Sequence, residues 1–334
     1  MITLGIETSC DETSCAILED SDRILSNITS SSLEKHQPYG GVVPEIASRH
    51  ALENIYIVFE EALKQANKSF QDIGLVSVTY GPGLIGSLLV GVSFAKALAF
   101  SRNLKLIGVN HLEAHLEANF LQNPRPNEPF LGLIVSGGHT ITVNHDNCKY
   151  EKIGETIDDA VGEAYDKVAK LMGLGYPGGP ILDRLAQNGD SKRFRFTKPK
   201  LANELDFSFS GIKTAVLHLV EDLKGNLEKE IPNIAASFQH SVINWLVEGV
   251  RKASQKTGAR YVVIGGGVSA NSLLRSKLLE LGNELNVTIL IPPFSLTLDN
   301  GAMIAKSGYD RFVGGYGDTA HLDLSAVPNL RIGA

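Results

Sequence analysis

Ile2-Thr3-Leu4-Gly5-Ile6-Glu7 is an apolar run of strand length that breaks at Thr8-Ser9-Cys10-Asp11-Glu12 and resumes from Thr13 to Leu18. It then turns at Asp20-Ser21-Asp22 and returns through Arg23 to Ile28. Short apolar runs bounded by small and polar residues read as strands joined by turns. The same grammar recurs farther on. Phe130 to Val135 breaks at Ser136-Gly137-Gly138-His139, resumes from Thr140 to Val143, turns at Asn144-His145-Asp146-Asn147 and returns through Cys148 to Ile153. Two such units in one chain predict an internal duplication.

Helical periodicity follows each unit. Pro44 to Gln65 places Ile46, Ala51, Ile55, Val58, Phe59 and Leu63 on one face, and Ile157 to Met172 does so with Val161, Ala164, Val168 and Leu171. Each half then offers a strand before a glycine turn: Leu75 to Tyr80 before Gly81-Pro82-Gly83, and Tyr261 to Ile264 before Gly265-Gly266-Gly267. Glycine at such turns lets backbone amides approach a ligand at a helix N-terminus. The connection from Gln122 to Pro129 holds three prolines and divides the halves, giving domains 1–126 and 127–334. The last helix and tail, about 300–334, can return to the first half.

A chain of 334 residues with 43% hydrophobic and 20% charged residues is a folded, two-domain protein by composition, which excludes disorder, collagen and coiled coil. Its net charge of −6 argues against a wholly basic, RNA-coating surface. Cys10, Cys15 and Cys148 are too few for a disulfide framework and form no CxxC pair. The first residues carry no basic segment ahead of a long apolar one, so a cytoplasmic protein is expected. Leu84 to Phe100 is the most apolar stretch, but Gly86, Ser87, Gly91, Ser93 and Lys96 interrupt it, and it reads as a buried helix rather than a membrane span.

Three clusters carry candidate chemistry. The hairpin loops offer Thr8, Ser9, Asp11 and Thr13 in one half and Ser136, Gly137, Gly138 and Thr140 in the other, small groups whose amides and hydroxyls suit a phosphate. Each alone is also an ordinary β-turn. Gly265-Gly266-Gly267-Val268-Ser269-Ala270-Asn271 adds a third such turn, while the Walker and dinucleotide fingerprints are absent. The second cluster is His111-Leu112-Glu113-Ala114-His115, two histidines at i and i+4 on one helical face that can chelate a metal or simply face solvent. Glu113 stands at i+2 from His111, turned about 200° away, so the zinc-protease arrangement is not met. Asp299, in a loop that opens the helix from Ala302 to Val313, is the candidate third ligand. The third cluster joins Asp166 with Gly178-Gly179-Pro180-Ile181-Leu182-Asp183, whose acids can accept ribose hydroxyls or, in the plainer reading, cap a helix. Lys192 to Lys200 interleaves Phe194 and Phe196 with cations, as single-stranded RNA surfaces and solvated loops both do.

Taken together, Gly5-Ile6-Glu7-Thr8-Ser9-Cys10-Asp11-Glu12-Thr13, Gly81-Pro82-Gly83-Leu84, Asn110-His111-Leu112-Glu113-Ala114-His115, Val135-Ser136-Gly137-Gly138-His139-Thr140, Tyr176-Pro177-Gly178-Gly179-Pro180, Phe207-Ser208-Phe209-Ser210-Gly211 and Gly265 to Asn271 resemble the tRNA N6-adenosine threonylcarbamoyltransferase family. The resemblance runs in order from Met1 to about Arg311. It implies an α/β, actin-like or sugar-kinase-like fold of two duplicated ribonuclease-H-like halves with a nucleotide cleft between them. It also implies a reaction: threonylcarbamoyl moves from threonylcarbamoyl-AMP to the exocyclic amine of the adenosine 3′ of the anticodon, in tRNAs reading codons that start with A. By the same resemblance His111, His115 and Asp299 would hold one divalent metal ion per subunit, Fe2+ or Zn2+. Ile134, Val135, Ser136, Gly137, Gly138, Asp166, Gly179, Asp183 and Asn271 would bind the adenylate. For the proton of the attacking amine, Asp11 is the expected base and Glu12 the second choice. The implied partners are tRNA, a smaller paralogue of the same fold (TsaB-like) and a P-loop ATPase (TsaE-like), with no membrane. A small-molecule kinase or an ATP-holding module of this fold would use the nucleotide turns but leaves the histidine pair unexplained.

Overall fold

The computed structural model describes residues 1–315 and 322–333, apart from the side chain of Lys224. In chain order the elements are β1 (Ile2–Glu7), β2 (Glu12–Glu19), β3 (Arg23–Ser31), α1 (Leu33–His36), α2 (Pro44–Gln65), β4 (Ile73–Gly81), α3 (Ile85–Arg102), β5 (Lys105–Asn110) and α4 (His111–Glu117). Then come β6 (Phe130–Val135), β7 (Thr140–Asp146), β8 (Lys149–Glu155), α5 (Val161–Leu171), α6 (Gly178–Ala186), α7 (Ser210–Leu223), α8 (Leu227–Thr257), β9 (Tyr261–Gly265), α9 (Ser272–Leu285), β10 (Thr288–Leu290) and α10 (Gly301–Gly314). They gather into two compact units, Met1–Arg125 with Pro292–Ala334, and Pro126–Ile291.

The first unit is a sheet of order β3-β2-β1-β4-β5, antiparallel through the hairpins and parallel from β1 to β5. Alternation along β1 sets its two faces. Leu4 and Ile6 pack with Ile55, Val58 and Phe59 of α2 and Val92 and Ala95 of α3. Gly5 points the other way, where a Cβ would sit 2.1 Å from Gly301 O and 2.4 Å from Ala305 N. Only glycine lets α10 lie this close to the sheet. On that face Met303 and Ile304 pack with Leu75, Ile107 and Val109, each fully buried side chain being worth about 1.5–3 kcal/mol.

The second unit repeats the order as β10-β9-β6-β7-β8. Read from its hairpin edge it matches the first strand for strand, as the duplicated sequence grammar predicts. Leu131, Leu133 and Val135 of β6 share a core with Tyr165 and Val168 of α5, Phe238, Val242 and Leu246 of α8, and Leu278 of α9.

Three local expectations are corrected. The turn in the second hairpin is not at 144–147 but at Asn147-Cys148, with φ of 47° and 61°, so β7 runs on to Asp146. Two left-handed residues make the tight turn that matches strand twist. The helix expected from Ile157 starts at Val161, because Thr156 N bonds Thr140 O, Ile157 N bonds Phe207 O and Thr156 Oγ1 bonds Asp159 O, tying the preceding residues into a loop. Finally, α3 is not a buried helix. Leu88, Val92, Ala95 and Ala99 are buried, whereas Ile85, Leu89 and Phe100 are 49%, 50% and 74% exposed. By length and composition alone α3 is apolar enough to cross a membrane, and a third of it is buried.

Candidate metal centre and nucleotide site

In the first unit β5 ends at Asn110, whose side-chain oxygen accepts from Leu112 N and so starts α4. The short helix carries His111 and His115 on one face, their rings 4.6 Å apart. Asp299, just ahead of α10, brings Oδ1 to 3.5 Å from His111 Nε2 and 3.1 Å from His115 Nε2. One ligand atom from each of the three lies within 4.8 Å of the others. The expected trio is therefore assembled.

These residues fit a metal ion. His115 is 1% exposed, and neither ring nitrogen makes an aligned hydrogen bond among the described residues; its approach to Asp299 is one of proximity only. A buried imidazole left in that state is costly unless a cation takes its lone pair. Behind His111, Nδ1 lies 3.0 Å from Glu7 Oε2 and 3.2 Å from Ser9 Oγ, so a carboxylate orients the ring and leaves Nε2 facing Asp299. Glu7, fully buried at the end of β1, also accepts from Thr79 Oγ1 and Ser9 N. Burial opposes a charge on His111, but Asp299 and Glu7 outweigh it and push its pKa up to about 9. A proton and a metal ion would thus compete for the same ring.

Asp11 and Glu12 lie in the loop and first strand position beyond Ser9, both half-buried. Burial, and then the charges of Asp299 and Asp11, raise the Glu12 carboxyl well above the usual range. Thr8 does not serve as a phosphate donor here: it is fully buried and donates to Ser87 O at 2.9 Å. Thr13 is buried too. The Gly81-Pro82-Gly83 turn is likewise closed to a ligand, since Gly83 N donates to Pro328 O. Glu113 points away from the histidines, accepting from Arg311 and from Gly333 N.

In the second unit, Ile134 and Val135 are fully buried residues at the end of β6, Val135 packing in the core, and they lead into the loop that follows. In that loop Ser136 N bonds His139 O, and around Gly137 and Gly138 a Cβ would meet nothing within 4 Å. Gly179, at the start of α6, is equally open. Asp166 accepts from Gly178 N at 2.7 Å. Asp183 accepts from Gln239 Nε2 at 2.9 Å, Asn271 Nδ2 at 3.4 Å and Ser272 Oγ at 2.8 Å. Asn271 also donates to Gln239 Oε1 at 2.8 Å and caps α9 through Leu274 N. Gly266, at φ 92°, would place a Cβ 2.4 Å from Val135 O, so its role is to let this turn cross β6. Sequence reasoning missed Gln239 and Tyr165; both sit in helical runs where nothing marks them out. It quoted Glu7 but gave it no role, though an acid ending an apolar strand is a signal.

In the basic strip the two aromatic rings are half-buried. Phe194 and Phe196 pack against the core of the second unit, Arg193 pairs with Glu230 and Lys198 with Glu248.

Two sheets of the same order, each backed by helices, define the actin-like, sugar-kinase-like class of α/β proteins. Among solved structures, HypF of T. kodakarensis matches with a TM-score of 0.62 at 13% identity, over 95% of this chain and 48% of that one. The ROK hexokinase of Thermus thermophilus matches at 0.55 and 13%, over 94% and 100%. At such identities the likeness is one of fold. The chain belongs to the family described as TsaD, tRNA N6-adenosine threonylcarbamoyltransferase, whose model matches residues 23–306. Relatives bearing that name are 50% identical in Thermosipho melanesiensis, over 99% of this chain and 100% of the relative, and 51% identical in Dictyoglomus turgidum, over 100% and 99%.

Proposed function

We propose that this chain transfers the threonylcarbamoyl group of threonylcarbamoyl-AMP to the exocyclic amine of the adenosine 3′ of the anticodon, in tRNAs reading codons that start with A. The observation that carries the reading is the trio of buried His111 and His115 with half-buried Asp299, braced by Glu7, in a chain of this family. The adenylate is assigned to the second unit. Gly137, Gly138 and Gly179, where a Cβ would meet nothing, leave room for phosphate and carbonyl oxygens to approach the backbone, while Asp166, Asp183 and Asn271 hold the nucleoside.

In the reaction the adenosine nitrogen attacks the carbamoyl carbon, the new C–N bond forms, the C–O bond to the phosphate breaks and AMP leaves. Asp11 accepts the proton that the nitrogen loses, with Glu12 as the second candidate. His111, His115 and Asp299 would hold a divalent ion, Fe2+ or Zn2+, which when bound would supply Lewis-acid polarisation or anchoring of the acyl donor. Glu7 and Ser9 keep His111 in the orientation this requires.

The exposed apolar residues Leu52, Tyr56 and Ile57 of α2 and Ile85 and Leu89 of α3 support a protein partner, for which the TsaB-like paralogue is the proposed occupant, with a TsaE-like ATPase completing the system. The buried opposite face of α3 supports a globular setting, and a tRNA substrate supports a cytoplasmic location.

The test is incorporation of labelled threonine into unmodified tRNA by the purified chain, its partners and an adenylate-forming synthase. Wild type should label tRNA, and His111→Ala and His115→Ala should not. Asp11→Ala should keep adenylate binding and lose transfer. No label from wild type with an active synthase would refute the proposal.

A further inference from the structure

The segment Asp323–Gly333 crosses the ends of β4 and β5 and makes a chain of backbone contacts. Val327 N donates to Tyr80 O at 2.7 Å, and Pro328 O accepts from Gly83 N at 3.1 Å. A Cβ at Gly81 would lie 2.1 Å from Val327 O, so β4 is shaped to receive this segment. Ile332 is 8% exposed, and Leu324 packs over Gly108 and Tyr80.

Two further contacts reach the helix that carries the histidines. Asn110 uses its oxygen to cap α4 and its Nδ2 to donate to Arg331 O at 2.8 Å. Glu113, 3% exposed, accepts from Gly333 N at 3.0 Å and from Arg311. A helix of seven residues has little stability of its own, so its orientation depends on what grips it. Here the polar grips are the cap residue before His111 and the carboxylate midway between His111 and His115. The same segment also reaches the other side of His111: Pro328 holds Gly83, the adjoining Leu84 N bonds Ser9 O at 2.7 Å, and Ser9 Oγ lies 3.2 Å from the His111 ring.

We propose that Asp323–Gly333 is a positioning strap for the metal site, setting α4 and the Ser9 loop so that His111 and His115 face Asp299 before any ion arrives. This rests on the reading of the trio as a metal site. A strap that only adds stability would leave metal affinity unchanged in any variant that still folds.

The experiment measures Zn2+ affinity of the metal-free protein by competition with a chromophoric chelator, beside its thermal unfolding. A chain stopped before Val327 should bind Zn2+ about ten-fold or more weakly, as losses of outer supporting contacts do. Asn110→Ser keeps a capping oxygen and loses the donor to Arg331 O, and should weaken binding in the same direction by a smaller factor. Leu63→Ala, in the α2 core, lowers stability while changing no residue of the strap or the trio, and should leave Zn2+ affinity unchanged. Affinities for the folded truncated chain and for Asn110→Ser within about two-fold of the full chain would overturn the strap while leaving the metal reading intact. If truncation prevents folding, Asn110→Ser alone decides. A full chain that binds no Zn2+ would overturn both.

Discussion

Glu7 closes β1 with a carboxylate that three donors surround, and one of them is the ring that faces Asp299. Replacing it by glutamine keeps the size but presents an amide to at least one donor. Glu7→Gln is expected to weaken Zn2+ binding about ten-fold, read by chelator competition, with little change in secondary structure. The histidines were legible in the sequence because chelation needs a fixed helical spacing, and Asp299 because it stood in a loop ahead of a helix. Gln239 was not, and Glu7 and Ser9 stood in the sequence without their partners, since those come from residues distant in the chain and no local pattern encodes such a meeting. Thr8 shows the reverse case: a hydroxyl in a candidate loop that the fold spends on Ser87 O.

At the scale of elements, α2 shows how a periodic face was readable to its ends while its polar side was not. The apolar stripe gave the helix from Pro44 to Gln65, whereas His50 proves to be 7% exposed and set against Ser30 Oγ at 3.0 Å and Lys35 Nζ at 3.3 Å. Burial, and then the charge of Lys35, hold its imidazole below the usual value. A folded pKa below the unfolded one means that neutral His50 supports the fold above about pH 6.5, and that this support fades as pH falls through the folded value. Thermal unfolding should therefore show the wild type losing more stability than His50→Gln between about pH 7.5 and 5.5. Equal losses would remove His50 from the acid response. For α3, the run of apolar residues was plain but its one-sided burial was not, because hydrophobicity all round a helix does not say which face the core will cover.

For the whole molecule, the duplication was legible because both sheets begin with the same hairpin grammar, and the structure repeats the strand order in each unit. What the residues alone left open was which unit Asp299 joins. The trio is built entirely within the first unit, and the Asp183, Asn271 and Gln239 network entirely within the second. The two binding functions should separate by mutation. His115→Ala is expected to abolish Zn2+ binding and leave AMP binding by calorimetry unchanged, and Asp183→Ala to do the opposite. Loss of both ligands in either variant would refute this division.

The first unit draws on both ends of the chain: β1 to α4 come before Pro126, and Asp299 and α10 come after Ile291. During translation the first sheet leaves the ribosome with the face beside Gly5 bare, and it stays bare until the whole second unit has been synthesised. Asp299 emerges with the start of α10, the helix that covers that face. A nascent chain can therefore display both histidines and yet own no complete trio, so capture of a metal by these three residues would be deferred to a polypeptide that is nearly finished.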